Sequence, residues 1–293
     1  MIRMLSASSP LFSERSCAGA GASGAAKFRE FSHQGWQSAA ATYHDYWGDL
    51  TQQSVEPMLD ALAVSAGSRL LDVACGPGYV AAAAARRHAY ATGVDFSDVM
   101  VRIATQFHPE VEFCVGDAEN LPLETNRFSA VAMNFGIQHL SRPMRALSEA
   151  RRVLRSGGRV AFSVWATPDV TKGASIVYAA IEQHGTLQAP LPPAPPLWRL
   201  DAPGDTCRVL REAGFDDPIA MQVAQTWYLA SADDFFGAFY DGSVRTKALL
   251  RAQTGPALAA IRRAINGSLR SYECAGHIEI PMPAVLVSAR KLT

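Results

Sequence analysis

The feature that most constrains the fold of this chain is an apolar run that leads directly into a glycine turn. The run Leu70-Leu71-Asp72-Val73-Ala74 is followed by Cys75-Gly76-Pro77-Gly78, and an alanine-rich segment comes next. Glycine tolerates positive φ and leaves room where a side chain would block a ligand. A strand, a tight turn and a helix in this order are typical of the ligand-binding edge of an open α/β sheet.

Segments with strand and helix character alternate from this point as far as Trp165. The predicted strands are Arg69–Ala74, Tyr90–Val94, Val111–Val115, Phe128–Met133 and Arg159–Trp165. The predicted helices between them are Tyr79–His88, Asp98–Phe107 and Arg142–Leu154, the last stopped by Gly157-Gly158. Such alternation implies parallel strands joined by crossover helices. The predicted fold class is therefore α/β, with a Rossmann-like, doubly wound, mostly parallel seven-stranded sheet.

The segments outside this alternation give the predicted domain organisation. Residues 1–27, rich in Ser, Ala and Gly, have the composition of a transit peptide, but a disordered tail is the favoured interpretation. Residues 28–293 are predicted to form one domain, with N-terminal cap helices, a cofactor-binding core, a Pro-rich loop and a helical insertion that caps the substrate. Their respective ranges are 28–66, 67–166, 189–203 and 227–283. A helix over 205–213 and strands over 219–226 and 284–290 complete the prediction.

Charge and cysteine content narrow the class of partner. Lys plus Arg and Asp plus Glu each number 27, so nothing electrostatic favours nucleic acid or an anionic membrane. The five cysteines form no C-x-x-C pair, and no acidic or histidine cluster has metal-ligand spacing. No apolar run is long enough to cross a bilayer. We expect a cytoplasmic enzyme with a small-molecule substrate, no metal, no nucleic acid and no membrane insertion; the sequence does not indicate an oligomeric state.

Two kinds of ligand compete for the glycine turn. Gly76, Gly78 and Ala81 match the dinucleotide fingerprint G-x-G-x-x-G/A. Asp72, however, would repel a pyrophosphate placed at the following helix N-terminus. Its carboxylate suits a cationic ligand such as S-adenosylmethionine, which carries an ammonium and a sulfonium. The adenosylmethionine interpretation is therefore favoured over a nicotinamide-dependent oxidoreductase.

The segment Leu70–Gly78 resembles motif I of class I S-adenosylmethionine-dependent methyltransferases. The chain is similar to their type-11 group, most clearly from Ala39 to Phe215, and this group includes ubiquinone and menaquinone C-methyltransferases. The string GDAENLP at 116–122 strengthens the resemblance. The resemblance implies methyl transfer to a small aromatic or lipophilic acceptor, with S-adenosylhomocysteine as product. The implied acceptor is a secondary metabolite or a quinone-like compound. A protein of this fold with a cyclase-like or structural role is the alternative.

The resemblance also implies which residues hold the cofactor. Asp95 would accept from both ribose hydroxyls, Phe96 and Met100 would pack on adenine, and Asp117 with Ala118 would bind its edge. The remaining implied cofactor residues are Tyr43, Asp72, Ala74, Gly76, Gly78 and Asn134. An ordinary core position is the alternative for both Phe96 and Met100, and an Asx turn is the alternative for Asp117.

The acceptor is expected beside the segment that follows the fourth strand. His139 is the candidate base or acceptor-orienting residue, although it could instead order a neighbouring loop. The candidate acceptor-binding residues are Trp47, Phe135, Gln138 and Trp198. Packing in a helical core is the alternative for Trp47.

Overall fold

A computed structural model describes residues 22–189, 191–193 and 203–292. The helices are α1 Ala22–Gln52, α2 Val55–Ala61, α3 Tyr79–Arg86, α4 Asp98–Phe107, α5 Pro143–Val153, α6 Lys172–His184, α7 Pro203–Glu212, α8 Ala232–Tyr240, α9 Arg245–Arg251 and α10 Gly255–Leu269. The strands are β1 Arg69–Val73, β2 Tyr90–Asp95, β3 Glu112–Val115, β4 Phe128–Asn134, β5 Leu154–Trp165, β6 Asp216–Val223, β7 Thr226–Leu229, β8 Glu273–Cys274, β9 His277–Pro281 and β10 Ala284–Arg290. Short 3₁₀ turns follow β4 and α10.

Contacts divide the chain into two compact units, and the single domain over 28–293 stays a prediction. Of the described residues, the sheet unit comprises 51–165, 203–223 and 284–292. The helical unit comprises the described residues 22–50, 166–189, 191–193 and 224–283. Almost all of the predicted cofactor-binding core falls in the sheet unit, and the predicted insertion falls in the helical unit.

The sheet unit is built on a seven-stranded sheet of order β3-β2-β1-β4-β5-β10-β6. Strands β1 to β5 pair in parallel, whereas β10 runs antiparallel to both β5 and β6. The predicted fold class is thus confirmed. The strand order reverses between β1 and β4, and in open α/β sheets ligands bind at the carboxyl ends of the strands beside such a switch point.

The core of the sheet unit lies on both faces of the central strands. Leu70, Leu71, Val131 and Phe162 are fully buried, as expected for a sheet covered by helices on each side. The alanines of α3 let that helix pack closely, since Ala81 to Ala84 are all buried. Rigid central strands therefore hold the loops at their carboxyl ends in fixed positions.

The helical unit contains more strand than the sequence indicated. Strands β7, β9 and β8 form a separate antiparallel sheet in that order, so the segment 227–283, predicted as a helical insertion, contains these strands besides its helices. Trp47 of α1 is buried, stacks on Trp227 with ring centroids 4.4 Å apart, and donates through Nε1 to the Ala238 carbonyl at 3.2 Å. These contacts fit the packing interpretation of Trp47; its contact with an acceptor stays a prediction.

Several boundaries differ from the sequence prediction. Helix α1 begins at Ala22, inside the predicted tail. Helix α5 ends at Val153, and Gly157 lies at φ 76° in an irregular first part of β5, so the glycine pair does not stop the helix. Helix α6 had no counterpart in the prediction.

Trp198 lies outside the described residues. Among the residues that the structure describes, no helix combines the length and the apolar character that a membrane span needs.

Candidate active site

The carboxyl ends of β1, β2 and β3 bring the predicted cofactor residues of the sheet unit together. The Gly76 N–H donates to Asp95 Oδ2 at 2.9 Å, which joins the glycine turn to the end of β2. The Gly116 N–H donates to the Asp95 carbonyl at 2.9 Å, which joins β2 to the segment after β3. Asp72 near the end of β1, Asp95 at the end of β2 and Asp117 just after β3 therefore stand at one edge of the sheet.

The two glycines of the turn have different roles. Both have positive φ, 51° at Gly76 and 86° at Gly78. A Cβ on Gly78 would lie 2.6 Å from Cζ of Phe113, so this glycine is required by packing as well as conformation. A Cβ on Gly76 would meet nothing within 4 Å. The backbone at Gly76 therefore faces open space that a ligand can approach.

Asp72 is a buried carboxyl group, and only one of its two oxygens has a hydrogen-bond partner among the described residues. The residue is 1% exposed, and its Oδ2 accepts from the Ala81 N–H at 3.1 Å. Its Oδ1 has no hydrogen-bond partner among the described residues. Burial raises the pKa of Asp72 to about 8 against the opposing bond from Ala81, and the charge of Asp95 adds to the rise. A cationic group brought to Oδ1 would supply the missing interaction, so the pocket fits the ammonium of S-adenosylmethionine.

Asp95 shapes the turn besides offering a carboxylate to a ligand. Its Oδ2 accepts from Gly76 and its Oδ1 accepts from the Ser97 N–H, each at 2.9 Å. A carboxylate offers about four acceptor positions, and these two bonds do not exhaust them. Contact with both ribose hydroxyls is therefore compatible with the observed geometry and stays a prediction.

The two residues proposed to pack on adenine differ in exposure. Met100 is 3% exposed, which fits the core alternative. Phe96 is only half-buried and precedes Ser97, whose side chain caps α4 by accepting from the Met100 N–H at 3.2 Å. Phe96 is therefore the better placed of the two to contact a ligand.

The segment after β3 forms the Asx turn that was considered as an alternative for Asp117. Asp117 Oδ1 accepts from the Glu119 N–H, and the Asp117 carbonyl accepts from the Asn120 N–H, each at 2.9 Å. Asp117 itself is half-buried and Ala118 is buried. The turn fixes the orientation of Asp117 and does not exclude a contact with adenine.

Glu119 is a site residue that the sequence reasoning missed. Its carboxylate is 3% exposed and accepts from the Ser141 hydroxyl at 2.6 Å, the Arg142 N–H at 2.8 Å and Arg142 Nε at 2.8 Å. Burial by itself would raise the pKa of Glu119, but these hydrogen bonds and the charge of Arg142 outweigh it and lower the pKa. The acidic residue inside the GDAENLP string was the only available signal, and its partners lie more than 20 residues away.

Asn134 is held by a hydrogen-bond network within the sheet unit. Its Oδ1 lies 2.8 Å from the Ser54 hydroxyl and 2.5 Å from the Ser163 hydroxyl, and its Nδ2 donates to the Thr51 carbonyl at 3.0 Å. Its amide oxygen is therefore already engaged in fastening β4 to β5 and to the segment before α2. Cofactor binding by Asn134 stays a prediction.

The chain leaves β4 through a strained residue. Phe135 has φ 54°, a conformation that is unusual for a bulky side chain, and its N–H donates to the Ser163 hydroxyl at 3.0 Å. Its ring is buried and stacks on Trp165 with centroids 4.1 Å apart. A Cβ on the next residue, Gly136, would lie 2.8 Å from Cβ of Ala74, which is also strained at φ 53°. Strain of this kind clusters at ligand-binding sites, and here it brings the β1 and β4 loops into contact.

The candidate base His139 stands in the 3₁₀ turn that follows. Its Nε2 lies 3.3 Å from Gln138 Nε2, and Gln138 Oε1 accepts from the Trp165 N–H at 3.4 Å. This second bond orients the amide with its NH₂ toward the imidazole, so Nε2 of His139 is assigned the acceptor role in their contact. Gln138 is buried, and its contact with His139 orients the imidazole. Contact between Gln138 and an acceptor stays a prediction.

The predicted residues of the helical unit form a separate group. Tyr43 packs edge-on against Trp36 with ring centroids 5.7 Å apart, and Trp47 belongs to the aromatic core described above. Their roles toward a cofactor or an acceptor stay predictions.

The fold and this sheet edge resemble those of class I S-adenosylmethionine-dependent methyltransferase domains. Residues 71–162 match the family model Methyltransf_11, described as a methyltransferase domain. The match spans β1 to most of β5 and thus contains Asp72, Asp95, Asp117 and His139.

Two curated relatives are each similar to part of the chain. A demethylmenaquinone methyltransferase of Clavibacter sepedonicus is 37% identical over 113 residues, which are 38% of this chain and 46% of the relative. A ubiquinone/menaquinone biosynthesis C-methyltransferase of Roseobacter denitrificans is 36% identical over 140 residues, 43% of this chain and 56% of the relative. The chain therefore spans about half the length of the curated relatives it matches.

Solved structures extend the likeness of the fold. A Bacillus halodurans protein assigned as a methyltransferase superposes with a TM-score of 0.56 at 20% identity, and the match covers 82% of this chain and 99% of that chain. At this identity the likeness concerns the fold alone.

Proposed function

We propose that this protein binds S-adenosylmethionine at the β1–β3 edge and transfers its methyl group to a small, quinone-like aromatic acceptor. The observation that carries the proposal is Asp72, a carboxylate that is 1% exposed and has an unpartnered Oδ1. Such a group is costly in a folded protein unless a ligand completes it. The open backbone at Gly76 supports the same conclusion, because it leaves space beside that carboxylate.

Each residue of the pocket would bind a different part of the cofactor. Asp72 would hold the ammonium, Asp95 the ribose hydroxyls, and Asp117 with Ala118 the adenine edge. When bound, S-adenosylmethionine supplies an electrophilic methyl group on a positively charged sulfur. The protein then has to orient the acceptor and exclude water, since these effects account for much of the rate of such a displacement.

With a quinone-like acceptor, His139 would act as a general base. Carbon methylation of a hydroquinone ring would form a C–C bond in place of the methyl–sulfur bond of S-adenosylmethionine, and the ring would give up one proton. An imidazole is a suitable base near neutral pH, and Nε2 of His139, which contacts Gln138, would accept that proton. The 3.3 Å separation of the two side chains marks a weak bond that an acceptor hydroxyl can replace. The names of the two curated relatives favour a quinone-type acceptor.

Calorimetric titration of the intact chain with S-adenosylhomocysteine and, separately, with NAD tests the cofactor. We expect S-adenosylhomocysteine to bind in the micromolar range and NAD not to bind. Binding of NAD alone would replace the proposal with the oxidoreductase alternative. Failure to bind either nucleotide would refute a nucleotide site at this edge.

Release of S-adenosylhomocysteine from S-adenosylmethionine in the presence of 1,4-naphthoquinol tests the reaction. We expect His139→Ala to lower kcat by about 10²-fold, which is a usual contribution of a general base. His184→Ala, which changes an exposed histidine at the end of α6, is the matched control and is expected to retain full turnover. Tight cofactor binding without product release from any phenolic or quinol acceptor would favour the cyclase-like or structural alternative.

A further inference from the structure

We propose that Glu119 is a positioning residue that couples the adenine side of the site to the turn that carries His139. The inference rests on the proposed function. It concerns a side chain that makes no contact with a reacting group. Its carboxylate reaches from the segment after β3 to the segment between His139 and α5.

The contacts of Glu119 join two loops that have no covalent link nearby. On one side, the Glu119 backbone N–H donates to Asp117 Oδ1 at 2.9 Å, so Glu119 also orients Asp117, the residue expected to bind adenine. On the other side, its two carboxylate oxygens accept from Ser141 and from the backbone and side chain of Arg142. A displacement of Asp117 is therefore transmitted to residues 141 and 142 through one buried side chain.

The second loop is short enough to pass this constraint on to His139. Only Leu140 separates His139 from Ser141, and the His139 N–H donates to the Gly136 carbonyl at 3.0 Å within the 3₁₀ turn. Arg142 is the N-cap residue of α5, so the negative charge of Glu119 also lies at the positive end of that helix. The turn is thus fixed at one end by β4 and at the other end by Glu119.

The bonds that hold Glu119 are strong ones. Two involve the charged carboxylate with uncharged N–H and O–H donors, and the third pairs it with a guanidinium. Charge-assisted hydrogen bonds are roughly twice as strong as neutral ones. Glu119→Gln keeps the size of the side chain but removes the charge, and the NH₂ of its amide cannot accept from Arg142 or Ser141.

Amide hydrogen exchange of the full chain, with and without S-adenosylhomocysteine, measures the coupling directly. In the unmodified protein we expect the ligand to slow exchange both at residues 76–81 and at residues 137–142. In Glu119→Gln we expect the ligand to protect residues 76–81 as before, while residues 137–142 exchange at least 10-fold faster than in the unmodified protein and gain no protection. Ser141→Ala, which removes one of the three bonds, should have an intermediate effect.

A kinetic cycle separates positioning from general stability. With 1,4-naphthoquinol as acceptor, we expect Glu119→Gln to lower kcat about 10-fold with little change in KM for S-adenosylmethionine. In a His139→Ala background the same substitution should lower kcat less than 2-fold, because both changes act on one group. A purely structural role would give the same loss in both backgrounds.

The proposal is overturned if residues 137–142 of Glu119→Gln exchange as in the unmodified protein. It is also overturned if the kinetic losses are additive. Should the unmodified chain not bind S-adenosylhomocysteine, the proposed function fails separately, and the exchange of residues 137–142 in the ligand-free variants still decides the role of Glu119. Arg142→Lys keeps the positive charge and is expected to restore most of the protection that Arg142→Ala loses.

Discussion

Asp72 and Glu119 are two carboxylates at the same edge of one sheet, and the fold treats them in opposite ways. Both are almost completely buried, at 1% and 3% exposure of the residue. Glu119 receives three hydrogen bonds, one from a guanidinium, and its pKa is lowered. Asp72 receives one backbone bond, its Oδ1 is unpartnered, and burial raises its pKa to about 8. The carboxylate that the protein satisfies holds the site together, and the one it leaves unsatisfied is where a cation is expected to bind.

The largest effect should be on ligand affinity. We expect Asp72→Asn to weaken binding of S-adenosylhomocysteine by about 10²-fold, because truncating one partner of a buried charged hydrogen bond costs at least about 2 kcal/mol. Glu119→Gln should change the same dissociation constant less than about 5-fold by this reasoning. Calorimetric titration measures both, with the exposed Asp216→Asn on β6 as control. Equal losses for the two variants would remove the distinction between the carboxylates.

The next largest effect should be on the free energy of unfolding, where substitution of Glu119 should cost more than substitution of Asp72. Glu119→Ala is expected to lower the free energy of unfolding by about 2 kcal/mol, because it leaves buried donors without an acceptor. Glu56→Ala, which breaks an exposed ion pair with Arg87, should cost less than about 0.5 kcal/mol. Urea unfolding of the ligand-free protein provides the comparison. If Asp72→Asn proved more destabilising than Glu119→Ala, the structural role assigned to Glu119 would be wrong.

The pH dependence of stability should separate the two carboxylates by sign. The pKa of Asp72 is higher in the folded state than in the unfolded state, so its contribution is present below the unfolded value near 4 and is lost as pH rises toward 8. Between pH 5 and 7 this group alone should lower the free energy of unfolding by up to about 1.4 kcal/mol per pH unit. Asp72→Asn should flatten that slope.

Glu119 should act at the other end of the pH range. Because its pKa is lowered, its stabilisation is present above the unfolded value and is lost as the solution is acidified below it. Glu119→Gln should therefore leave the slope between pH 5 and 7 unchanged and weaken the dependence below pH 4.5. Thermal unfolding across this pH range tests both variants, and a Glu119 effect confined to neutral pH would contradict the assignment.

The smallest effect should come from the strained backbone beside Asp72. Ala74 has φ 53°, whereas residues 116–123 around Glu119 contain no residue of positive φ. Ala74→Gly should raise the free energy of unfolding by about 0.5 kcal/mol, since the relief of left-handed strain slightly exceeds the added entropy of the unfolded chain. Ala85→Gly in α3 should lower it by about 1 kcal/mol. A loss on Ala74→Gly would show that no strain is stored in the turn.

Much of the fold could be predicted because its signals are local. The short apolar runs, the alanine-rich helix and the glycine turn are properties of short segments. They predicted β1 to β5 and the helices between them close to their observed positions. The sequence missed α6 and the β7-β9-β8 sheet, since the pairing of β7 with β9 joins residues about fifty positions apart. It also misassigned Gly157, whose positive φ serves an irregular strand and not a helix end.

The sequence by itself determined which groups stand at the sheet edge: Asp72 before its glycine turn, Asp95 at the end of β2 and Asp117 after β3. This was possible because parallel strands carry their carboxyl ends to one edge, whatever the details of packing. Only the tertiary structure decided what each group is able to do. Asn134 is engaged by Ser54, which is 80 residues away, and Glu119 by Arg142, while Asp72 keeps an unpartnered oxygen. Burial and hydrogen-bond partners set the energy of a polar group, and both come from chain segments that the local sequence does not contain.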